Sequence, residues 1–348
     1  MSIVDVARVA GVSVATVSRV LNSPDKVGEE AQARVRAAIK SLGYAPNTSA
    51  RSLRTQRSRV LGVVLPTLLN PVFAECMTGI AAAAAAADYA ILPVFTNYCV
   101  AHESQAVNQL LASNVEGVVL VVSNPETSPA LELLRKQQRP YVLAYNLHPA
   151  HPCVTVDSEA AMASLIAYLV GLGHRRIAMV TGHLHMSDRA QQRSRGYHKG
   201  MRDAGLESLP LVEVPFIDRQ FSVTELDSGQ DDSAVSIVSQ LLRGDQRPTA
   251  LIGSNDLIAI RCMRAARLSG LDIPQDVSIV GFDGIGLGAE LFPRLATVAQ
   301  PNEDIGRHCV RLLLQGVTQQ TLLPVSSGVL LPHRLDYAES CGAFSGLA

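Results

Sequence analysis

Apolar residues recur at helical spacing in three short stretches within the first 43 residues, and turn or helix-ending residues separate the stretches. The apolar positions are Ile3, Val6, Ala7 and Ala10 in the first stretch, Val17, Val20 and Leu21 in the second, and Ala31, Val35, Ala38, Ile39 and Leu42 in the third. Gly11 follows the first stretch, Ser13 is placed to cap the second, and Gly43 follows the third. The pattern predicts three short helices around one small core.

Beyond Arg59 the pattern changes to short apolar runs separated by amphipathic segments. The runs cover residues 60–66, 90–95, 117–122, 141–146, 177–182, 250–255 and 277–283. Strands that alternate with helices indicate an α/β fold with parallel sheets covered on both faces. A break at residues 147–158 divides the runs into two groups, which predicts two sheets and hence two lobes. The seven alanines of residues 81–87 are predicted to form a buried helix face.

Charge is unevenly divided along the chain, although the net charge is only -1. Residues 1–60 hold ten Lys and Arg against four Asp and Glu, a balance of +6 that leaves -7 for the remainder. Clustered cations of this kind indicate that the first segment binds a polyanion. The outer face of the second predicted helix carries Ala15, Ser18, Arg19 and Asn22, and such short or polar side chains with one long cation suit the major groove of DNA. A protein-interaction bundle is the alternative for the same three helices.

Several classes of protein are disfavoured by the motifs. The six cysteines lack the spacing of a zinc or dithiol site, so reduced thiols, mostly buried, are expected, with no metal and no cofactor. No signal peptide and no apolar stretch of about 18 residues is found, which predicts a cytoplasmic protein. Neither H-E-x-x-H nor G-x-S-x-G occurs, and the glycines at 284, 286 and 288 lack the dinucleotide spacing, so no enzymatic activity is expected.

Polar residues follow several predicted strands at their carboxyl ends, which is the edge where open α/β sheets bind ligands. They are Thr67, Asn70, Asn97, Tyr98, Ser123 and Asn124 in the first group, and Asn255, Asp256 and Asp283 in the second. Polar groups from both lobes suit a hydroxyl-rich ligand held between them. Asn70 has a second interpretation as a helix cap, and Asn255 and Asp283 have one as loop supports that bind backbone groups.

The segments VDVARVAGVSVATVSRVLN and GYAPNTSARSL closely resemble the headpiece and hinge of the lac-repressor (LacI/GalR) family of transcription regulators. The resemblance implies a helix-turn-helix whose recognition helix opens with Val14, Ala15 and Thr16. It also implies a hinge helix that folds on the operator and inserts Leu53 into the minor groove. The DNA-binding positions implied are Ser13, Val14, Ala15, Thr16, Ser18, Arg19, Asn22, Tyr44, Asn47, Ala50, Arg51, Leu53 and Arg54. A plain solvated linker is the alternative for the hinge.

The body resembles the periplasmic-binding-protein-like core of the same family, with PTLLNPVFAE, GHRRIAMVTG, SNDLIAI and GFDG in the expected order. The resemblance implies an effector site that contains Thr67, Asn70, Phe73, Asn146, Arg193, Asn255, Asp283 and Gln300. Arg193 matches the family's effector-binding arginine, although it could equally be an exposed helix cation, and Asn146 stands near the place of a more common aspartate. The similarity to the gluconate-repressor branch implies a sugar-acid effector whose carboxylate pairs with Arg193.

The resemblance implies a homodimer, joined through the bodies, that binds a palindromic operator and represses a carbohydrate or sugar-acid catabolic operon. Effector bound between the lobes is expected to set operator affinity allosterically. The tail lacks leucine heptads of the kind that join two dimers. The expected domains are residues 1–45 as headpiece, 46–59 as hinge and linker, 60–337 as two-lobed core and 338–348 as a short tail. A sugar-binding protein without DNA function is the alternative.

Overall fold

In the computed structural model the chain divides into two units, Met1–Ser58 and Arg59–Ala348. The structure describes residues 1–44, 57–215, 233–244 and 246–344, without the side chains of Asn22 and Ser233. The hinge positions predicted to bind DNA, which are Asn47, Ala50, Arg51, Leu53 and Arg54, lie outside the described residues.

Three helices form the headpiece: α1 (Ile3–Ala10), α2 (Val14–Asn22) and α3 (Glu29–Leu42). A capping box starts α1, because the Ser2 hydroxyl accepts from the Asp5 N–H and the Asp5 carboxylate accepts from the Ser2 N–H. Gly11 and Gly43 end α1 and α3 with φ of 65° and 58°, a conformation that glycine adopts without steric cost. The buried core consists of Val6, Ala7, Ala10, Val17, Val20, Val35 and Ala38. The three-helix prediction is therefore confirmed.

The first lobe of the second unit is a six-stranded sheet with four helices. Its strands are β1 (Val60–Leu65), β2 (Ala90–Phe95), β3 (Gly117–Leu120), β4 (Tyr141–Ala144), β5 (Cys153–Thr155) and β11 (Val329–Leu330). Its helices are α4 (Pro71–Ala86), α5 (Val100–Ala112), α6 (Pro129–Lys136) and α11 (Asn302–Gln319). The strands lie in the order β11-β5-β4-β3-β1-β2, and every pair is parallel.

The second lobe repeats this arrangement around its own sheet. Its strands are β6 (Ile177–Thr181), β7 (Val212–Glu213), β8 (Ala250–Gly253), β9 (Ser278–Asp283), β10 (Ala296–Ala299) and β12 (Arg334–Asp336). Its helices are α7 (Ser158–Gly171), α8 (Asp188–Asp203), α9 (Ser233–Leu242) and α10 (Asp256–Leu268). The order is β12-β10-β9-β8-β6-β7, and only β12 is antiparallel to its neighbour. The predicted α/β class with two parallel sheets is confirmed.

The chain passes between the lobes three times, whereas the sequence predicted a single break. It first crosses after β5, which lies inside the predicted break, and it returns with α11 after β10. Ile305, Cys309 and Leu313 of α11 are fully buried in the core of the first lobe. β11 then joins the first sheet and β12 the second. A helical apolar pattern shows which face of a helix is buried but not which sheet covers it, so these returns were missed.

One further expectation needs correction. Ala84 is buried in α4, but Ala82, Ala85 and Ala86 are exposed, so the alanine run is a buried face only in part. The predicted tail is docked on the second sheet as far as it is described. Ser340 is fully buried, and its hydroxyl donates to the Ile279 carbonyl at 2.6 Å and accepts from the Ala296 N–H at 2.8 Å.

All six cysteines are free thiols, and Cys76, Cys153, Cys262 and Cys309 are buried, as expected. None of the helices in the described ranges combines the length and apolar character needed to cross a bilayer.

Candidate functional site

The outer face of α2 is available for contact with another molecule. The Ser13 hydroxyl caps the helix, accepting from the Thr16 N–H at 3.1 Å and lying 2.9 Å from the Thr16 hydroxyl. Val14, Ala15 and Arg19 are exposed, and Ser18 is partly exposed beside them. Since Val17 and Val20 turn inward, the face predicted to contact base edges is the one that the fold leaves outside.

Tyr44 stands apart from this face, because its ring is half-buried and packs against the headpiece core. The side chain of Asn22 is not described. DNA contact by these residues, as by the exposed face of α2, remains a prediction.

A cleft in the second unit is lined by six of the eight predicted effector residues: Asn70, Phe73, Arg193, Asn255, Asp283 and Gln300. It contains about 640 Å³ of empty space, including the solvent at its mouth. The lining comes from both lobes and includes the residues that follow β8 and end β9, as expected for parallel sheets.

Arg193 and Asp283 form an ion pair at the centre of the second-lobe wall. Arg193 Nη2 lies 2.9 Å from Asp283 Oδ1, and both residues are at most 6% exposed. The guanidinium also donates to the Ser254 carbonyl and lies 3.8 Å from the centroid of the Phe282 ring. Arg193 is thus buried in the wall, which removes the interpretation as an exposed helix cation.

Asp283 closes β9 in a strained conformation with φ of 126°, and its Oδ1 also accepts from Gln300 Nε2 at 2.8 Å. Burial raises the pKa of Asp283, and the adjacent Arg193 guanidinium opposes that rise. The buried pair carries no net charge when both groups are ionised. Within the described residues, Arg193 Nε is buried and has no hydrogen-bond partner.

Beneath this wall, Asp256 supports the loop after β9. Its carboxylate accepts from the Ile285 N–H at 2.8 Å and from the Thr297 hydroxyl at 2.5 Å. Burial, followed by the charge of Asp283, raises the pKa of Asp256 to about 7. Asp256 therefore has a structural role behind the cleft.

The first lobe contributes an aromatic wall of Phe73, Tyr98 and Tyr145. The ring centroids of Phe73 and Tyr145 lie 5.8 Å apart in an edge-to-face arrangement, and the Tyr145 hydroxyl donates to the Val72 carbonyl at 3.0 Å. Asn70 lines the cleft and also caps α4, its Oδ1 accepting from the Val72 N–H at 3.2 Å. Its two interpretations are therefore compatible.

Asn255 likewise lines the cleft while capping α10 through the Ile258 N–H at 2.8 Å. Thr67 is buried away from the cleft lining and accepts from the Leu69 N–H at 3.0 Å. The structure thus separates Thr67, which shapes a loop, from the residues that line the cleft.

Asn146 joins the lobes instead of lining the cleft. Its Nδ2 lies 2.6 Å from Asp188 Oδ1 on α8, and its Oδ1 accepts from the Val122 N–H at 3.0 Å. Burial raises the pKa of Asp188, and the charge of Arg189 opposes that rise.

Sequence reasoning missed Arg189, which lines the cleft four residues before Arg193 on α8. Its Nη1 lies 3.3 Å from Asp188 Oδ1 and donates to the Val122 carbonyl at 3.2 Å. The spacing of one helical turn was a usable signal, because it places two arginines on one face. Tyr145 was also missed, although it follows β4 directly. Within the described ranges, no group of three or more His, Cys, Asp and Glu could hold a metal ion.

Two family models match the chain. The model for bacterial regulatory proteins of the lacI family matches residues 2–47, and the model for the periplasmic binding protein-like domain matches residues 166–341. The first covers the three helices of the headpiece, and the second covers most of the second lobe together with the returning helix α11.

Curated relatives cover nearly the whole chain. Catabolite control protein A of Priestia megaterium is 32% identical over 342 residues, which span 98% of this chain and 99% of that protein. The HTH-type transcriptional repressor CytR of Escherichia coli (strain K12) is 32% identical over 318 residues, which span 91% of this chain and 89% of that protein. These relatives are transcriptional regulators, not enzymes.

Solved structures agree with this relationship. A lac repressor dimer bound to operator and the anti-inducer ONPF matches with a TM-score of 0.83 at 26% identity and covers 99% of both chains. The complex of the transcriptional regulator CelR with cellobiose matches with a TM-score of 0.69 at 26% identity and covers 98% of this chain and 99% of that one. The resemblance found in the sequence is confirmed. The chain belongs to the lacI family of bacterial regulatory proteins and is a DNA-binding transcription regulator.

Proposed function

We propose that the chain is a cytoplasmic repressor of a carbohydrate catabolic operon, and that a ligand in the cleft sets its affinity for a palindromic operator. Within this proposal residues 1–45 bind DNA, 46–59 form the hinge and linker, and 60–337 bind effector and dimerise. CytR is named a repressor, one structural neighbour is bound to operator, and another is bound to cellobiose. The observation that carries the proposal is the buried Arg193–Asp283 pair in a cleft lined from both lobes.

The chemistry of this pair favours a neutral, hydroxyl-rich ligand. Asp283 offers carboxylate oxygens as acceptors, and Asn255, which lines the same cleft, offers amide donors, so hydroxyl groups of one ligand can bind both residues. Phe73 and Tyr98 provide an apolar surface opposite, on which the C–H face of a sugar ring can pack. Such alternation of apolar surface and fixed polar groups is typical of small-molecule sites.

A sugar acid is the alternative raised by the sequence. Its carboxylate would enter a site where Arg193 already faces Asp283, and where the second cation, Arg189, faces Asp188. A buried anion needs a charge partner, so binding would require one of these pairs to open. The existing pairs therefore favour a neutral sugar over its acid.

Dimerisation through the second unit is supported by apolar surface at one edge of the first lobe. β2 is an edge strand, and Phe95 at its end is 39% exposed. The exposed alanines of α4 precede it, and Leu69 is 60% exposed in the loop before α4. In the second lobe, Phe292 is 93% exposed. Unpaired edge strands and large exposed apolar groups are features that a partner subunit covers.

In the proposed mechanism, ligand binding changes the relative position of the two lobes. This movement changes the position of the linker that precedes β1. Only a difference in ligand affinity between two arrangements can shift the operator-binding equilibrium. A coupling free energy of about 1–3 kcal/mol would change operator affinity roughly 5–150-fold.

The test combines a thermal-shift screen with operator selection, both on the full chain. Neutral sugars, the corresponding sugar acids and nucleosides are screened, because a bound ligand raises the melting temperature by mass action. A neutral sugar should give the largest shift and should alter binding to a duplex selected from a random pool. A sugar acid as the best ligand would reverse the assignment of effector class. Failure to select any duplex would refute the DNA-binding proposal.

A further inference from the structure

Three side chains meet where the chain enters the first sheet. Arg59 precedes β1, Tyr89 precedes β2, and Glu116 precedes β3, and these three strands are neighbours, with β1 in the middle. The amino ends of three parallel strands therefore meet at one edge of the sheet. Arg59 is also the residue at which the second unit begins.

The contacts among these residues converge on the backbone and side chain of Arg59. Its N–H donates to Glu116 Oε1 at 2.8 Å, and its guanidinium donates to the Ala87 carbonyl at 3.3 Å. The guanidinium carbon lies 5.1 Å from the centroid of the Tyr89 ring, and the Tyr89 hydroxyl donates to Glu116 Oε2 at 2.9 Å. Glu116 thus connects the backbone of Arg59 to the ring that its side chain covers.

The backbone of the same residue is paired and held in an uncommon conformation. The Arg59 carbonyl accepts from the Ala90 N–H at 2.9 Å, and the next carbonyl, that of Val60, accepts from the Glu116 N–H at 2.8 Å. Arg59 has φ of 56°, in the left-handed region that non-glycine residues adopt only where surrounding contacts hold them. Its side-chain and backbone contacts together fix the direction of the chain at the point where the linker joins β1.

We propose that Glu116 and Tyr89 are positioning residues for operator binding, because they fix the point at which the linker leaves the first lobe. The inference rests on the proposed function, in which lobe movement reaches the headpiece through that linker. A linker anchored at Arg59 moves with the first sheet, whereas a linker free to rotate there would absorb the movement. Loss of the anchor should therefore reduce selective operator binding and leave the charge-driven binding of any DNA in place.

The test uses the full chain and a duplex that wild type selects from a random pool, with a scrambled duplex for comparison. Affinities are measured by fluorescence anisotropy for wild type, Glu116→Ala, Glu116→Gln, Tyr89→Phe and Glu132→Ala. Glu132 is the matched control, since it is an exposed carboxylate on α6 of the same lobe. Glu116→Ala should lower affinity for the selected duplex about tenfold, because a charge-assisted hydrogen bond is lost. Its affinity for the scrambled duplex should change less than about twofold.

Glu116→Gln should recover most of the affinity, because its amide oxygen still accepts the Arg59 N–H. Tyr89→Phe should give an intermediate loss, since the ring stays over Arg59 and only the hydroxyl is removed. The inference is overturned if Glu116→Ala and Glu132→Ala have the same affinity for the selected duplex. It is also overturned if Glu116→Ala weakens binding to both duplexes equally, as general damage to the fold would. If wild type itself selects no duplex, the proposed function fails and this inference fails with it.

Discussion

The guanidinium of Arg193 and the carboxylate of Asp283 lie 2.9 Å apart on two different elements of the second lobe, helix α8 and the end of strand β9. Each group is buried, so neither can be ionised at low cost without the other. The pair therefore links one wall of the cleft to the stability of the lobe that carries it.

Arg193→Ala should lower the free energy of unfolding by about 3–5 kcal/mol, because it leaves the Asp283 carboxylate buried without its partner. The matched control is Arg195→Ala on the same helix, whose ion pair with Glu159 is surface-exposed and is worth about 0–1 kcal/mol. Urea unfolding at pH 7 measures both. Replacing both members of the buried pair should recover part of the loss, and equal effects of the two single variants would contradict a buried charge pair.

Arg19→Ala should remove the preference for a selected duplex, since the loss of one bidentate contact to a base costs about 1–3 kcal/mol of discrimination. Arg34→Ala is the control, because Arg34 is an equally exposed cation on α3 and lies outside the predicted recognition face. Arg34→Ala should weaken binding to the selected and the scrambled duplex slightly and to the same extent. Anisotropy titrations at one fixed salt concentration compare the two variants. A retained preference in Arg19→Ala would exclude Arg19 from base recognition.

Gly306→Ala should destabilise the first lobe, because its added Cβ would lie 2.2 Å from the Cys76 carbonyl oxygen where α11 crosses α4. Backbone cannot yield as a flexible side chain can, so a loss of about 1–3 kcal/mol is expected from overpacking. Gly286→Ala is the control, since a Cβ there meets open space. Thermal unfolding measures both variants, and a melting temperature of Gly306→Ala at or above that of Gly286→Ala would show that the helices can separate at this point.

His151 should make the first lobe less stable in acid. Burial, followed by the charge of Arg135, lowers the pKa of His151 from 6.5 to about 4, so between these values the unfolded chain binds the proton more tightly than the folded one. This contribution to stability is complete above pH 6.5 and is lost as the pH falls towards 4. Melting temperatures across that range should fall less steeply in His151→Gln than in wild type. A slope in His151→Gln as steep as that of wild type would contradict this prediction.

The sequence predicted best those elements whose pattern is local. Seven apolar runs correspond to β1, β2, β3, β4, β6, β8 and β9. Six of these strands are largely buried and therefore form continuous hydrophobic segments, whereas β2 is an apolar but partly exposed edge strand. β11 and β12 have two and three residues, too short to give a periodic signal. The exposed part of the alanine run was assigned to the core because alanine is apolar on either side of a helix.

The same difference holds for the site residues: those with a local sequence signal were predicted, and contacts between distant segments were not. Asn70 and Asn255 were predicted because each follows a strand, a feature visible within a few residues, and the structure shows that each also caps a helix. The contact between Asn146 and Asp188 spans 42 residues and joins two lobes, so no pattern in either segment reveals it. The burial of the Arg193 charge depends in the same way on Asp283, 90 residues later.

The return of α11 to the first lobe sets the order in which this protein can mature on the ribosome. Residues 60–155 emerge early with five of the six strands, yet the groove beside α4 stays empty until residues 302–319 have been synthesised. The second lobe is largely made in between, and five of its six strands are synthesised before α11; only β12 follows it. The nascent first lobe must therefore wait with apolar surface uncovered, which makes this interval the period of greatest exposure to aggregation and of greatest need for chaperones.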